Sequence, residues 1–575
     1  MKTKSDSEIQ FVEPGPTVEV HLPDGRVLRG LRYTTLERFL CTLPDSDDPP
    51  IVGAVLNGEL RELTYRIKMD AVVRPVRMSD SDGALIYRRS LVFLMETAFD
   101  QCFTGATLTV DHSVSSGGYF CQVSGRPPLS PGELGALEDA MNRLVQADLP
   151  FERQETPIAE ATAYFQATGK TEKVRLLAHR KKSYLTLYQL QEFRDYHHGY
   201  MVPSTGYLRW FKLTATGVGF TLRFPRRHAP KQLLPLPEYP KLLATFRQYG
   251  DWLDRLGIAN VGTLNDAIQA GRCDEVILVS EALHEQHITE IARQIANRAE
   301  QVRVVLIAGP SSSGKTTFSK RLAVQLLACG IAPFALAMDN YFIDRDKTPL
   351  DEQGKPDFEA LTALDREHMD SDLTRLISGE QVQLPHYNFL TGKSEEGQMV
   401  HLHSGEIIIM EGIHGLNPEL FHRLSRNQAY RIYISALTQL NLDRHNRIST
   451  TDTRLIRRIV RDARERGYTA SQTIQRWESV RRGEKRYIFP NQENADLMFN
   501  SALVYELSAL KPLAEPLLRQ VHFYTPEYIE AKRLLALLEW FLPLESDSIP
   551  DNSILREFIG SSSLSHFTLW HNHAQ

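Results

Sequence analysis

The eight residues Gly309-Pro310-Ser311-Ser312-Ser313-Gly314-Lys315-Thr316 complete the pattern G-x-x-x-x-G-K-[ST]. Such a loop binds polyphosphate, because its backbone N–H groups and the positive end of the following helix form a nest for anionic oxygens. Gly309 and Gly314 are expected where the chain turns sharply against phosphate and leaves no room for a Cβ. Lys315 is placed to reach the β and γ phosphates of ATP, the Thr316 hydroxyl to hold Mg²⁺, and Thr317 to continue the cradle. Two carboxylates downstream extend the chemistry. Asp339 follows the apolar run Phe334-Ala335-Leu336-Ala337-Met338; it could accept the proton of an attacking hydroxyl, or simply cap a turn. Glu411 follows Ile407-Ile408-Ile409-Met410. It could stand beside Mg²⁺ or its water, although acids are common at strand ends.

A basic stretch from Asp452 to Gly467 adds cations. Leu455, Ile456, Ile459, Val460 and Ala463 form one helical face, with Arg454, Arg457, Arg458 and Arg461 on the others. The helix is either a solvated amphipathic one or a lid that swings arginines onto a transferring phosphate, a task that suits the planar, permanently charged guanidinium.

These groups need a frame. Val302–Ala308 is a short β-branched run that reads as a buried strand, and Thr317–Ala323 has helical periodicity. The alternation continues downstream as in a doubly wound parallel sheet, whose ligands bind beyond the carboxyl ends of the strands. At 575 residues, about three to five domains are expected. The composition is that of a globular protein, 42% hydrophobic and 24% charged. A net charge of −5 supplies no global basic field for nucleic acid. The five cysteines, 41, 102, 121, 273 and 329, are scattered without a C-x-x-C pair, against a disulfide framework or thiolate zinc site. The first residues lack the apolar run of a signal peptide and no stretch reaches membrane-span length, so a cytoplasmic location with no membrane partner is expected.

The loop, Asp339-Asn340-Tyr341, Pro385-His386-Tyr387-Asn388-Phe389, Met410-Glu411-Gly412 and the Asp452–Gly467 stretch occur in an order and wording that resemble the uridine kinase branch of the phosphoribulokinase/uridine kinase family, over residues 300 to 515. The resemblance implies Mg²⁺-dependent transfer of the ATP γ-phosphoryl group to a nucleoside 5′-hydroxyl, that of uridine or cytidine. It implies Asp339 as base, Tyr341 and Tyr387 against the nucleoside, and Arg454 and Arg457 on substrate or phosphate. Where that family has a ribose-gripping aspartate this chain has Glu359, and where it has a histidine against the base this chain has Thr391-Gly392-Lys393. ATP use is therefore better supported than uridine specificity.

The N-terminal half reads differently. Thr17–His21 and Val27 flank an Asp24-Gly25 turn, and Ala54–Leu60 repeats the hairpin signal. This module resembles the TGS domain of threonyl-tRNA synthetases, and Tyr87–Leu94, Leu149–Arg153 and Asp195–Gly206 continue the resemblance into the editing domain. That family carries four metal-type positions; here they hold Arg89, Phe93, His197 and Met201, and one ligand in four cannot hold a catalytic zinc. The half is expected to keep the fold without the hydrolysis. It would serve as a scaffold for the other half or for a homo-oligomer, or bind an anion such as a nucleotide or RNA end through Arg88, Arg89, His197 and His198. The run His179-Arg180-Lys181-Lys182 reads as a charged turn.

The expected architecture is α/β: a β-grasp-like TGS domain over 15–78, an α+β editing-like domain over 79–225, a helical bridge over 226–295, a P-loop kinase domain with a doubly wound parallel sheet over 296–545, and a tail over 546–575. The tail contains a short amphipathic turn and ends in a mobile serine- and histidine-rich stretch. The leading expectation is a kinase acting on a small molecule, a nucleoside first. A kinase of another alcohol, such as a sugar phosphate or vitamin precursor, is the alternative, and an ATP-switched RNA- or protein-binding protein is the rival from another class.

Overall fold

The computed structural model describes residues 13, 15–43, 48–114, 117–350, 354 and 356–567. The first residues, read for a leader, and the last residues of the stretch expected to be mobile lie outside them.

The chain opens with a mixed five-stranded sheet in the order Val27–Leu31, Thr17–His21, Ala71–Arg77, Ile51–Leu56, Glu59–Arg61. Thr17–His21 runs parallel to Ala71–Arg77, and the other pairings are antiparallel. Alternation drives Val18 and Val20 into the core beneath the short helix Leu36–Leu40. The expected hairpin turns are present, at Asp24-Gly25 and at Asn57-Gly58, where both residues take positive φ.

The next section is α+β. Its long helix Ser81–Cys102 is buried along most of its length, against a four-stranded antiparallel sheet that pairs Thr107–Val114, Gly118–Ser124, Gly219–Arg223 and Lys212–Thr216 in turn. A three-stranded sheet, Glu152–Pro157, Tyr184–Leu190 and Phe193–Tyr196, completes it. Three helices, Pro240–Leu256, Val261–Gln269 and Cys273–Ala296, then lead to a five-stranded parallel sheet. Its order is Pro333–Ala337, Ile407–Glu411, Val304–Ala308, Ala429–Ser435, Leu497–Asn500. The central strand Val304–Ala308 is fully buried, as an apolar β-branched run covered on both faces must be. Successive strands lie on both sides of it, so the chain winds in both directions and leaves a crevice at their carboxyl ends. The sheet is the P-loop α/β architecture, preceded by β-rich and α+β sections.

Two features depart from the reading of the sequence. The segment between Ala429–Ser435 and the helix Thr450–Arg466 is inserted into the N-terminal half: Val110 N–H donates to the Arg444 carbonyl at 2.8 Å, and Asn446 Nδ2 donates to the Tyr196 carbonyl at 2.9 Å. The turn expected in the C-terminal tail is part of the core, because Ile554, Leu555 and Phe558 are fully buried in the largest apolar cluster. Among the described residues, no helix is long and apolar enough to cross a membrane.

Candidate phosphate-transfer site

The loop lies where the sequence puts it, between Val304–Ala308 and the helix Lys315–Ala328. Two glycines are required for different reasons. A Cβ on Gly309 would lie 1.9 Å from the Ile434 carbonyl oxygen, so only glycine lets the neighbouring strand pass. Gly314 takes φ +84° at the helix start, a conformation that disfavours side chains. Lys315 folds back over the loop, its Nζ donating to the Gly309 and Pro310 carbonyls at 2.9 and 3.2 Å.

The Thr316 hydroxyl donates to Glu411 Oε1 at 2.9 Å, while Glu411 Oε2 is buried without a hydrogen-bond partner. Burial raises the Glu411 pKa, against the pull of Lys315 and of the Thr316 hydrogen bond. A buried carboxylate oxygen with an unused lone pair, next to a threonine hydroxyl, is a hard-oxygen donor set that suits Mg²⁺. Asp339 sits in the 3₁₀ turn Met338–Tyr341, at the carboxyl end of its strand, and its side chain has no partner among the described residues. Partial enclosure raises its pKa and Lys315 lowers it. Lys315 feels Glu411, Glu557 and Glu484 as well, so one ammonium faces converging carboxylates.

Glu359 approaches the same centre. A Cβ on Gly483 would lie 2.8 Å from Glu359 Cβ and Cγ, so glycine there opens the space it fills. Burial, then repulsion by Glu484, pushes its pKa up to about 7. The two tyrosines part company. Tyr341 is buried with its hydroxyl on Asp372 Oδ2 at 3.1 Å. Tyr387 is buried in a ring cluster with Phe342 and Phe389, and its hydroxyl has no partner.

The basic helix Thr450–Arg466 departs most from expectation. Arg454 and Arg457 are 1% and 0% exposed, not on a solvated face or a free lid. Arg454 Nε donates to the Ser311 carbonyl at 2.9 Å and its guanidinium pairs with Glu484. Arg457 donates to Glu506 Oε2 at 2.6 Å and to the Ser501 carbonyl at 2.8 Å, with the Ser312 carbonyl at 3.4 Å. The reason is the acids, since a guanidinium enters the interior only with carboxylate and carbonyl acceptors around it. Arg458 and Arg461 reach the loop's side chains, at the Ser311 hydroxyl (2.8 Å) and the Ser312 hydroxyl (3.5 Å).

Sequence reasoning missed Glu484, Glu506 and Glu557. Glu484 accepts from the Ser311 N–H at 3.0 Å and opens a π-helical turn, a form that recurs at functional sites. Its signal was visible as a single acid inside the basic run Arg481-Arg482-Gly483-Glu484-Lys485-Arg486. Glu557 reaches the loop from the tail, where nothing local marks it.

The four metal-type positions of the N-terminal half do not form a ligand set. Arg89 donates to the Tyr200 carbonyl at 2.5 Å, Phe93 stacks edge-on to His197 with centroids 5.2 Å apart, and Met201 is buried. Glu96, Asp195 and His445 do bring ligand-type atoms within 4.8 Å of one another. The Lys170 and Lys173 ammoniums already occupy the Asp195 oxygens, each at 2.8 Å.

With this geometry in place, residues 304–508 match the phosphoribulokinase/uridine kinase family. The N-terminal region is similar to threonine–tRNA ligases. It is 27% identical over 197 residues to that of Desulforamulus reducens, covering 34% of this chain and 31% of the relative. It is 34% identical over 195 residues to that of Methylococcus capsulatus, covering 34% and 30%. This chain thus spans under a third of the length of the curated relatives it matches. Among solved structures, a possible uridine kinase from Bacillus stearothermophilus aligns at 19% identity and TM-score 0.24, over 36% of this chain and 99% of that one. The chain therefore joins a segment that matches the phosphoribulokinase/uridine kinase family to an N-terminal region similar to threonine–tRNA ligases.

Proposed function

We propose that the protein is an ATP- and Mg²⁺-dependent kinase of a small-molecule hydroxyl, with the 5′-hydroxyl of a pyrimidine nucleoside as acceptor. One observation carries the reading: the Thr316 hydroxyl on Glu411, with the second Glu411 oxygen free, beside Lys315 and an unpartnered Asp339. Residues 309–317 cradle the phosphates. Thr316 and Glu411 would hold Mg²⁺, which when bound neutralises charge on the phosphates. The acceptor oxygen bonds to the γ-phosphorus in line as the bond to the bridging β–γ oxygen breaks, ADP leaves with that electron pair, and Asp339 takes the hydroxyl proton.

Glu359 binds the acceptor's hydroxyls. The unused hydroxyl of Tyr387 suits an acceptor contact better than that of Tyr341, which Asp372 already occupies. Arg454 and Arg457 act on the loop from behind by fixing the Ser311 and Ser312 carbonyls. Arg458 and Arg461 hold the same two loop residues by their hydroxyls.

The test is ATP consumption with Mg²⁺ across a panel of nucleosides and other alcohols, with mass detection of products. We expect a 5′-monophosphate from uridine or cytidine, and loss of at least about 10³-fold in turnover on Lys315→Ala. Near-normal turnover of that variant would sink the assignment. Product from a sugar phosphate or vitamin precursor alone would move the acceptor and keep the chemistry.

A further inference from the structure

A cavity of about 300 Å³ lies between the two halves of the chain, away from the phosphate loop. Its walls come from the strand Tyr184–Leu190, the turn around Gly199, the helix Ser81–Cys102 and the C-terminal helix Pro526–Leu538. The volume is at the lower end of the range of small-ligand sites. Six cationic side chains line it against two acidic ones.

Four of the six cations are already paired with carboxylates, Arg153 with Glu155 and Lys182 with Glu539 among them. Lys532 pairs with Glu59 at 2.6 Å, and Arg533 is held by both Asp452 oxygens at 2.7 and 2.8 Å. The second acid, Asp82, is pushed toward its neutral form by burial and by Glu530. Arg89 and Arg180 are different, because neither has a carboxylate partner among the described residues. Arg89 donates only to the Tyr200 carbonyl. Arg180 lies 4.2 Å over the Trp540 ring, and its Nε is buried with no hydrogen-bond partner. The backbone is shaped for this arrangement. Gly199 takes φ +112°, and a Cβ there would lie 2.6 Å from Arg89 Cζ. Burial together with Arg89, Arg533 and Arg180 drives the nearby His198 down to about 3, so the cations converge on one spot and the imidazole adds no charge. Beside them stand aromatic faces, Tyr184 at 45% exposure and Tyr528.

Partly buried cations without acids call for an anion. Inorganic phosphate alone would use the arginines and leave the tyrosines and most of the volume idle. We propose that this cavity is a second, non-catalytic site for a nucleoside monophosphate, with the phosphate on Arg89 and Arg180 and the base against Tyr184 and Tyr528. Arginine suits the phosphate through its paired N–H donors, and tyrosine rings suit any base through stacking.

The experiment is equilibrium dialysis of labelled uridine 5′-monophosphate and, separately, adenosine 5′-monophosphate against the full chain carrying Lys315→Ala, which weakens the phosphate loop as a competing site. We expect saturable binding of at least one of the two, near one per chain, displaced by excess inorganic phosphate. Arg180→Gln and Arg89→Gln should each weaken it about tenfold or more. Arg180 lies in a surface turn, so that variant remains informative should Arg89→Gln fail to fold. No saturable binding of either nucleotide, or binding that Arg180→Gln leaves within twofold, overturns the proposal. Neither outcome bears on the phosphate-loop reading, which stands or falls on turnover by the unsubstituted chain.

Discussion

The carboxylate of Glu557 caps the helix of the phosphate loop at Thr317, accepting from its hydroxyl at 3.0 Å and from its N–H at 3.4 Å. The acid comes from the tail, 240 residues away in sequence. Arg461 holds its other oxygen at 3.3 Å. An anion at a helix N-terminus is stabilising, but the same N–H and hydroxyl belong to the cradle expected to hold nucleotide phosphate. One position then serves two anions. Glu557→Gln should tighten ATP binding by about three- to tenfold while lowering stability by about 1 kcal/mol or less, since a partly exposed ion pair contributes little. Titration calorimetry and a thermal melt read the two effects. Unchanged affinity would mean that the carboxylate and the phosphate do not compete.

The pKa of about 7 at Glu359 gives a pH dependence with a definite sign. As an acceptor of hydrogen bonds the group must be ionised, so the KM for the small-molecule acceptor should fall as pH rises from 6 to 8, by up to about tenfold for one group titrating midway. Stability runs the other way. A carboxyl whose folded pKa lies above its unfolded value favours folding below the unfolded pKa, and that advantage is lost as pH rises through about 7. Glu359→Gln should flatten the KM profile and be more stable relative to the unsubstituted protein at pH 8 than at pH 5. A KM that still falls with pH in that variant would assign the titration to another group.

How much of this was legible beforehand depends on the range of the interactions. The loop, its strand and helix, and the strand-terminal Asp339 and Glu411 were legible because each is local: a pattern, a period, a chain turn. The cations of the basic helix are legible in the sequence, but the burial of two of them is not. Helical spacing assigns Arg454 and Arg457 to faces, and only the partners Glu484 and Glu506, 30 and 49 residues further on, decide that those faces are interior. The partner of the Tyr341 hydroxyl is as distant, since Asp372 is 31 residues away. The docking of 436–449 into the N-terminal half left no signal, because no periodicity records which distant surface an irregular segment meets.

That docking gives the last prediction. Lys173, 2% exposed, donates to Asp195 at 2.8 Å and to Asp443 at 3.1 Å, tying the N-terminal half to the inserted segment. Burial opposes ionisation of Asp195, yet Lys173 and Lys170 win and hold its pKa well below the usual carboxylate range. Lys173→Met removes the central cation and leaves buried carboxylates short of charge, which should cost about 3–5 kcal/mol of stability near neutral pH. The sign with pH follows. A carboxylate with a depressed folded pKa contributes stability above its unfolded pKa and loses it as pH falls through the folded one. The gap between the unsubstituted protein and the variant should therefore be widest near neutral pH and narrow on acidification, as measured by urea unfolding at several pH values. A gap under about 1 kcal/mol at neutral pH would show that the network is solvated rather than buried, and that the two halves are held together by their apolar contacts instead.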